Sequence, residues 1–296
     1  MRESRWLQVS VSVESETAEA VSEVLARYVE GGAVMETHPD GRGERDAVLV
    51  KGFLAPDSAQ DRRRRQVEQA LWHLGQIRPV SEPQFTLLAE ADWAEAWKAD
   101  YRPQRVGRRL VVVPSWISYE EAPGEIVLRL DPGMAFGTGA HPTTQLCLES
   151  LEEHLRPGTE VLDLGTGSGI LAIACAKLGA EGVLALDTDP AALQVARANV
   201  RANGVGEKVE LGRGSEEMIG SRSFDLIVVN ILANTIIEQV ENGLLDHLDP
   251  SGIFIAGGVL SDWEAECRLV LAAHDLDRID SRAQGDWVTL MGTKGA

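Results

Sequence analysis

The sequence lacks the features that mark disulfide-bonded, zinc-binding and membrane-spanning proteins. Its three cysteines, Cys147, Cys175 and Cys267, lie far apart and form no Cys-x-x-Cys pair, so neither a disulfide framework nor a metal site is expected. No apolar stretch approaches the roughly 20 residues that a membrane-spanning helix needs. The first residues do not form the apolar run of a signal peptide. We therefore expect a cytoplasmic protein that does not associate with a membrane.

Positive charge is also scarce. The chain has 28 lysines and arginines against 46 aspartates and glutamates, which gives a net charge of -18. Proteins that bind nucleic acid through broad neutralisation of phosphates carry the opposite sign, so direct DNA binding is not expected. The acidic balance fits a small-molecule enzyme or a protein with a basic partner. At 296 residues, with 44% hydrophobic and 25% charged residues, the chain is long enough for two globular domains.

The first 88 residues show the order strand, helix, strand, strand, helix, strand. Strict alternation of polar and apolar residues predicts the first strand, and three-to-four spacing of apolar residues predicts both helices. The predicted strands cover residues 7–13, 33–37, 47–54 and 84–89, and the predicted helices cover residues 18–28 and 67–74. The first helix is expected to stop at Gly31 and Gly32. This order is typical of a ferredoxin-like α+β domain.

Residues 89–104 differ from both flanking parts. Trp93 and Trp97 share one face at helical spacing, which predicts a linker helix. From residue 105 to 296, short continuous apolar runs alternate with helix-period segments, the pattern of an α/β domain with a parallel sheet covered by helices. The predicted strands cover residues 160–164, 183–187, 209–212, 224–230 and 253–256, and a last strand at 287–291 is expected to close the sheet.

A glycine-rich turn follows the first of these strands. Gly165, Gly167 and Gly169 occupy alternate positions before a predicted helix. Such glycines let the backbone approach a ligand closely, and the helix N-terminus offers free N–H groups. A dinucleotide fingerprint would need glycine at position 170, where the chain has Ile170. The spacing, with Asp163 two residues before the turn, resembles the first motif of class I S-adenosylmethionine methyltransferases.

Two further strands end in polar residues. Asp187 ends the second strand, where a carboxylate can accept hydrogen bonds from both ribose hydroxyls of a nucleoside. A helix cap is the alternative role for Asp187, but Asp189 before Pro190 suits that role better. Asn230 ends the fourth strand, and its alternative role is also a helix cap. Because ligands bind at the carboxyl ends of parallel strands, we expect Gly165, Asp187 and Asn230 to converge.

Asn230 is followed by Ile231-Leu232-Ala233, whereas amino methyltransferases commonly carry Asn-Pro-Pro-Tyr at this location. In that motif the asparagine oxygen holds the substrate nitrogen. Residues 131–144 form a loop rich in glycine and proline but too apolar for a solvated linker, which predicts a lid over the site. This loop, the glycine turn and the segment from Asn230 together resemble the ribosomal protein L11 methyltransferase (PrmA) family, and the likeness spans the whole chain.

The resemblance implies a fold and an activity. It implies a Rossmann-like class I methyltransferase domain with a mostly parallel seven-stranded sheet at residues 105–296, preceded by a ferredoxin-like substrate-recognition domain at residues 1–88. The family methylates lysine side-chain and N-terminal amines of a large-subunit ribosomal protein with S-adenosylmethionine. The cofactor contacts implied in this chain are Thr144, Gly165, Gly167, Asp187 and Asn230. The chain departs from the family's usual residues beside the pocket at Thr166, Val229 and Gly257.

Other residues suggest chemistry less strongly. His141, before Pro142, is expected to hold the loop in position, because no acidic or metal-ligand partner is near it in the sequence. Cys147 and Cys175 lie in apolar helical company and are expected to be buried structural thiols. The arginines at residues 62–65 predict a solvated helix face, with contact to ribosomal RNA as the alternative. Asn230 cannot act as a base, so we expect it to orient a neutral amine whose proton goes to solvent.

Three functional hypotheses follow from the sequence. The first is a protein-amine methyltransferase, favoured by the glycine spacing and the residue 131–144 loop. The second is a class I methyltransferase of a small molecule or RNA, which would share every cofactor feature and differ only in the use of the front domain. The third is a non-catalytic nucleotide-binding or ribosome-associated module, which would not need Asn230.

Overall fold

The computed structural model describes residues 5–37, 47–89, 102–131, 139 and 141–295. The chain divides into two compact units, Met1–Tyr101 and Arg102–Ala296. Residues 90–101 of the predicted linker helix, which include Trp93 and Trp97, lie outside the described residues, and so does most of the predicted lid, at residues 132–138 and 140. The division into residues 1–88, 89–104 and 105–296 therefore stays a prediction.

The N-terminal unit has the predicted ferredoxin-like topology. Its elements are β1 (Arg5–Glu14), α1 (Ser15–Ala26), β2 (Glu30–Thr37), β3 (Ala47–Leu54), α2 (Gln60–Gly75) and β4 (Gln84–Ala89). The sheet order is β2-β3-β1-β4, and all pairs are antiparallel. The core of this unit contains Leu7, Val9, Val11 and Val13 of β1, the residues that alternation placed on one face.

The end of α1 differs from the prediction. The helix ends at Ala26, and Gly31 and Gly32 belong to β2 instead of terminating the helix. The pairing of β2 with β3 shifts in register between Glu30 and Val34, around the two glycines. Glycines inside a strand commonly mark such a bulge, because they adopt its backbone at no steric cost.

The C-terminal unit contains the predicted large sheet. Its strands are β8 (Glu160–Leu164), β9 (Gly182–Asp187), β10 (Val209–Arg213), β11 (Phe224–Asn230), β12 (Leu248–Leu260), β13 (Leu276–Gln284) and β14 (Trp287–Lys294). The order in this seven-stranded sheet is β10-β9-β8-β11-β12-β14-β13. The first five strands in that order are parallel, and β14 pairs antiparallel with both of its neighbours. The sheet is therefore mostly parallel, as expected.

Five helices cover the two faces of this sheet within the described residues. They are α3 (Pro142–His154), α4 (Ile170–Leu178), α5 (Pro190–Ala202), α6 (Ala233–Glu241) and α7 (Glu264–Ala273). Alternate strand residues enter different cores: Val161 and Val228 pack with residues of α3, α4 and α5, and Leu162 packs with residues of α6 and α7. Burial on both faces explains why these strands are continuously apolar.

The edge of the sheet differs from the prediction. The strand predicted at residues 287–291 is β14, but it lies inside the sheet, and β13 forms the edge. β13 reads Leu-Asp-Arg-Ile-Asp-Ser-Arg-Ala-Gln and is largely exposed, so it has no continuous apolar run. Charged residues are common on edge strands, where they oppose pairing with other chains. The pattern that reveals buried strands therefore could not reveal this one.

A second, smaller sheet in the C-terminal unit was not predicted. It consists of β5 (Gln104–Val106), β6 (Leu110–Pro114) and β7 (Ile126–Leu130), in the order β5-β6-β7. Apolar residues of this sheet, among them Leu110 and Leu128, are fully buried in the same core as α3 and α4. Within the described part of the chain, every helix is too short or too polar to span a lipid bilayer.

Candidate functional site

The glycine turn lies between the carboxyl end of β8 and the start of α4. Gly165, Gly167 and Gly169 have φ angles of 76°, 54° and 83°, in the left-handed region that glycine adopts most easily. The backbone N–H groups of Gly165 and Thr166 both donate to the carbonyl oxygen of Leu186, at 2.9 Å. The turn is thus tied to β9, the strand that ends in Asp187.

Asp187 is bonded directly to the glycine turn. Its Oδ2 accepts a hydrogen bond from the N–H of Gly167 at 2.8 Å, and its Oδ1 accepts one from the N–H of Asp189 at 2.9 Å. A carboxylate oxygen can accept two hydrogen bonds, so each oxygen keeps capacity for a ligand hydroxyl. Asp189 is the N-cap of α5, accepting from the N–H of Ala191 at 2.8 Å, with Pro190 in the first turn. The predicted cap is confirmed, which leaves Asp187 free of that role.

Beneath the turn lies the carboxyl group of Asp163, which is fully buried. Its Oδ2 accepts hydrogen bonds from the hydroxyl of Thr166 at 2.6 Å and from the N–H of Ala172 at 3.1 Å. Its Oδ1 has no partner within the described part of the chain. Burial raises the pKa of Asp163 to about 7, because the charged form loses its hydration. Asp163 therefore supports the turn from inside, through its bonds to Thr166 and Ala172.

Asn230 ends β11 beside the same edge and is brought against Thr144. Its Nδ2 donates to the hydroxyl oxygen of Thr144 at 3.4 Å, and both residues are buried. The Oδ1 of Asn230 is buried and makes no hydrogen bond to any described residue. Leaving a buried carbonyl oxygen unpaired costs free energy of about 1 to 3 kcal/mol. An amide acceptor held in this way is suited to a donor that arrives with a ligand.

The segment after Asn230 packs closely against two glycines, which leave room for Ile231 because they have no side chain. A Cβ atom on Gly165 would lie 2.4 Å from Cγ2 of Ile231, and one on Gly258 would lie 2.1 Å from the carbonyl oxygen of Ile231. Gly258 has a φ of 78° and lies where the pairing of β12 with β14 shifts in register. The N-cap of α6 is Leu232, so Asn230 does not cap that helix. The alternative role for Asn230 is therefore excluded.

His141 has a structural role at the start of α3. It is the N-cap of that helix, where its Nδ1 accepts from the N–H of Thr143 at 3.3 Å. Its ring meets the ring of Trp287 edge to face, with centroids 4.9 Å apart, and burial lowers its pKa. These contacts agree with the expected positioning role. Cys147 and Cys175 are buried, as expected, and burial raises the pKa of Cys147 to about 12.

The predicted site residues therefore form one connected set. Thr144 contacts Asn230, Asn230 precedes the Ile231 that packs on Gly165, and Gly167 is bonded to Asp187. The left-handed glycines, the terminal carboxylate and the unpaired amide oxygen fit a nucleoside-containing cofactor beside an amine. The described residues include no cluster of side chains that could hold a metal ion.

One further residue that contacts the glycine turn was not predicted. Asn199, on α5, is buried and donates from Nδ2 to the carbonyl oxygen of Ser168, in the glycine turn, at 2.9 Å. A polar residue on the apolar face of an amphipathic helix is the signal that could have identified it.

A groove at the amino ends of the strands, lined by Glu160, Lys208 and Arg222, lies at the opposite edge of the sheet.

Comparisons with known proteins agree on one family, and the sequence comparisons extend over nearly the whole chain. The model of the family described as ribosomal protein L11 methyltransferase (PrmA) matches residues 5–295. Proteins named ribosomal protein L11 methyltransferase from Chloroflexus aurantiacus and Herpetosiphon aurantiacus are 42% and 41% identical, and the alignments cover 98% of this chain and 98% and 99% of theirs. The crystal structure of a ribosomal protein L11 methylase from Lactobacillus delbrueckii subsp. bulgaricus is 35% identical, with a TM-score of 0.62, covering 66% of this chain and 100% of its own.

Proposed function

We propose, from the premise that this chain belongs to the ribosomal protein L11 methyltransferase (PrmA) family, that its methyl acceptors are lysine side-chain and N-terminal amines of that ribosomal protein. The chain is an enzyme of this family, a methyltransferase. S-adenosylmethionine supplies an electrophilic methyl group on a sulfonium. The remaining work of the protein is to hold that cofactor and to present a neutral amine to it.

The observation that carries this proposal is the unpaired oxygen of Asn230. It is a buried acceptor at the ligand edge of the sheet, in the segment adjoining the glycine turn. A neutral amine can donate an N–H to that oxygen and turn its lone pair away from it, toward the methyl group. The bond from Nδ2 to Thr144 fixes which way the amide faces. Catalysis then consists mainly of alignment and exclusion of water.

The two kinds of amine differ in what deprotonation costs. A lysine side chain, with a pKa of about 10.4, costs about 4.6 kcal/mol to deprotonate at pH 7, whereas an α-amine of pKa about 8 costs below about 1.5 kcal/mol. The oxygen of Asn230 is an amide oxygen and cannot take up the proton, and it has no hydrogen-bond partner among the described residues, so it is available to the amine. The proposal therefore has the proton leave to solvent before transfer, and an N-terminal amine is the easier acceptor at neutral pH.

The cofactor contacts are assigned residue by residue. Asp187 would accept hydrogen bonds from the ribose hydroxyls with the free capacity of its two oxygens. Gly165 and Gly167 would let the backbone approach the cofactor, since neither presents a side chain. Thr144 and Asn230 would close the site on the side of the reacting methyl group.

The partner and the place of action follow from the family. A ribosomal protein is basic as a class, and the net charge of -18 on this chain complements it. The ferredoxin-like unit is assigned to recognition of that protein, because the polar site residues all lie in the other unit. Action in the cytoplasm, without direct DNA binding, follows from this substrate.

The test is methylation with labelled cofactor. The purified chain is incubated with labelled S-adenosylmethionine and a mixture of ribosomal proteins, and the label is located by mass spectrometry. We expect label on ribosomal protein L11, at lysine and N-terminal amines. Label on no protein would contradict the proposed substrate, and failure of calorimetry to detect cofactor binding would contradict the assigned cofactor site.

A further inference from the structure

We infer that Asn199 is a positioning residue for the cofactor turn, joining that turn to the edge of the small three-stranded sheet. Its side-chain amide makes three hydrogen bonds. Nδ2 donates to the carbonyl oxygens of Ser168 at 2.9 Å and Asp131 at 3.1 Å, and Oδ1 accepts from the N–H of Asp131 at 2.9 Å. The first bond reaches the glycine turn, and the other two hold the residue that follows β7. The inference rests on the proposed cofactor site.

A second asparagine one helical turn later makes a matching pair of bonds. Asn203 accepts from the N–H of Arg129 at 2.9 Å and donates to its carbonyl oxygen at 2.6 Å. Four residues of helix advance about 6.0 Å, and two residues of strand advance about 6.6 Å. The spacing of the two asparagines therefore matches that of Arg129 and Asp131. Together their amides act as a partner for the free edge of β7.

Of these two asparagines, Asn199 alone also forms a hydrogen bond with the glycine turn. The third hydrogen bond of Asn203 goes to the carbonyl oxygen of Asn199, within α5. α5 also packs directly on the turn, because a Cβ on Gly169 would lie 3.2 Å from the Cβ of Ala196. The Ser168 carbonyl oxygen is thus held toward α5, which restrains the orientation of the peptide between Ser168 and Gly169.

The expected consequence is on cofactor affinity. Without the bond from Asn199, the Ser168 carbonyl oxygen loses its partner on α5. The turn that presents the N–H of Gly167 to Asp187 is then held by fewer bonds, among them the one from the N–H of Gly169 to the carbonyl oxygen of Thr166 at 2.8 Å. Preorganisation of a binding loop lowers the cost of binding, so its loss weakens the complex. Asn203 shares the edge pairing but not the turn, which makes it the matched control.

The test compares Asn199→Asp with Asn203→Asp. Aspartate keeps the shape and the acceptor of asparagine but cannot donate, and it places a carboxylate oxygen against the carbonyl oxygens. Calorimetric titration with S-adenosylmethionine should give a Kd raised at least about tenfold for Asn199→Asp and within about twofold of the natural protein for Asn203→Asp, since one buried hydrogen bond is lost at the turn only in the first. Steady-state rates should show the same change in KM for the cofactor, with kcat altered less.

Stability is measured alongside binding. Both variants lose edge pairing, so both should lower Tm, and a role confined to stability predicts equal changes in Kd. A Kd for Asn199→Asp within twofold of the natural protein, or an equal weakening by Asn203→Asp, would overturn the inference. If Asn199→Asp does not fold, Asn199→Ser, which keeps one short donor, is judged by the same criteria. Absence of cofactor binding by the natural protein would instead refute the proposed cofactor site.

Discussion

The amide nitrogen of Asn230 donates to the hydroxyl oxygen of Thr144 across 86 residues of chain, at 3.4 Å, and the amide oxygen of Asn230 stays buried and unpaired among the described residues. The bond to Thr144 fixes the orientation of the Asn230 side-chain amide at the ligand edge of the sheet. The amide oxygen is therefore held as an acceptor in a fixed direction.

Removal of this acceptor should reduce catalysis more than cofactor binding. We expect Asn230→Ala to lower kcat for methylation by about a hundredfold, because the amine is no longer aligned with the methyl group. Thr144→Val is the companion variant, which keeps the acceptor but releases the amide, and it should cost less than Asn230→Ala. The measurements are the steady-state and single-turnover rates of methylation of ribosomal protein L11. Methylation by Asn230→Ala at the natural rate would contradict the role of Asn230.

Gly165→Ala should damage both stability and binding. Its Cβ would take up a left-handed backbone conformation and lie 2.4 Å from Ile231 Cγ2, so the segment beside Asn230 must move. Gly158→Ala is the matched control, since Gly158 has a φ of 85° with nothing within 4 Å of the added Cβ. In the control, the left-handed backbone conformation of the new alanine should lower the free energy of unfolding, measured in urea, by about 1 to 2 kcal/mol. Its cofactor affinity should be unchanged. Equal cofactor affinities for the two variants would show that the clash with Ile231 does not weaken cofactor binding.

Two aspartates two residues apart should separate cofactor binding from helix capping. Asp187→Asn replaces an acceptor of the Gly167 N–H, and we expect the Kd for S-adenosylmethionine to rise at least about tenfold, as for loss of a charged hydrogen bond. Asp189→Ala removes the cap of α5 and should cost about 1 kcal/mol of stability. Calorimetry and urea unfolding on both variants check the pair. Weaker cofactor binding by Asp189→Ala than by Asp187→Asn would reverse the assignment.

Asp163 should make the protein less stable as the pH rises through the acidic range. Its pKa is about 7 in the folded chain against an ordinary value of 3.8, so the folded state binds more protons between these values. Stability from this group is full below about pH 4 and is lost as the pH rises to about 7. Between pH 5 and pH 8, urea unfolding should show the natural protein losing about 2 to 3 kcal/mol relative to Asp163→Asn. Parallel profiles for the two proteins would refute the raised pKa.

The order of elements and the strand-end polar residues were predictable from local patterns. Alternation identified β1, continuous apolar runs identified the buried strands, and Pro190 after Asp189 identified a helix start. The edge strand β13 and the small sheet of β5, β6 and β7 were missed. β13 is polar because it is an edge, so the hydrophobic pattern that marks a buried strand does not apply to it.

The sequence by itself determined the two kinds of domain and the residues that end the central strands, because periodicity and turn chemistry act over a few residues. Only the tertiary structure decided how those residues are oriented. Asn199 meets Ser168 and Asp131 from 31 and 68 residues away, and no local pattern encodes such a pairing. These bonds form because helix packing brings buried amides to unpaired backbone groups, and burial makes it costly to leave such groups unpaired.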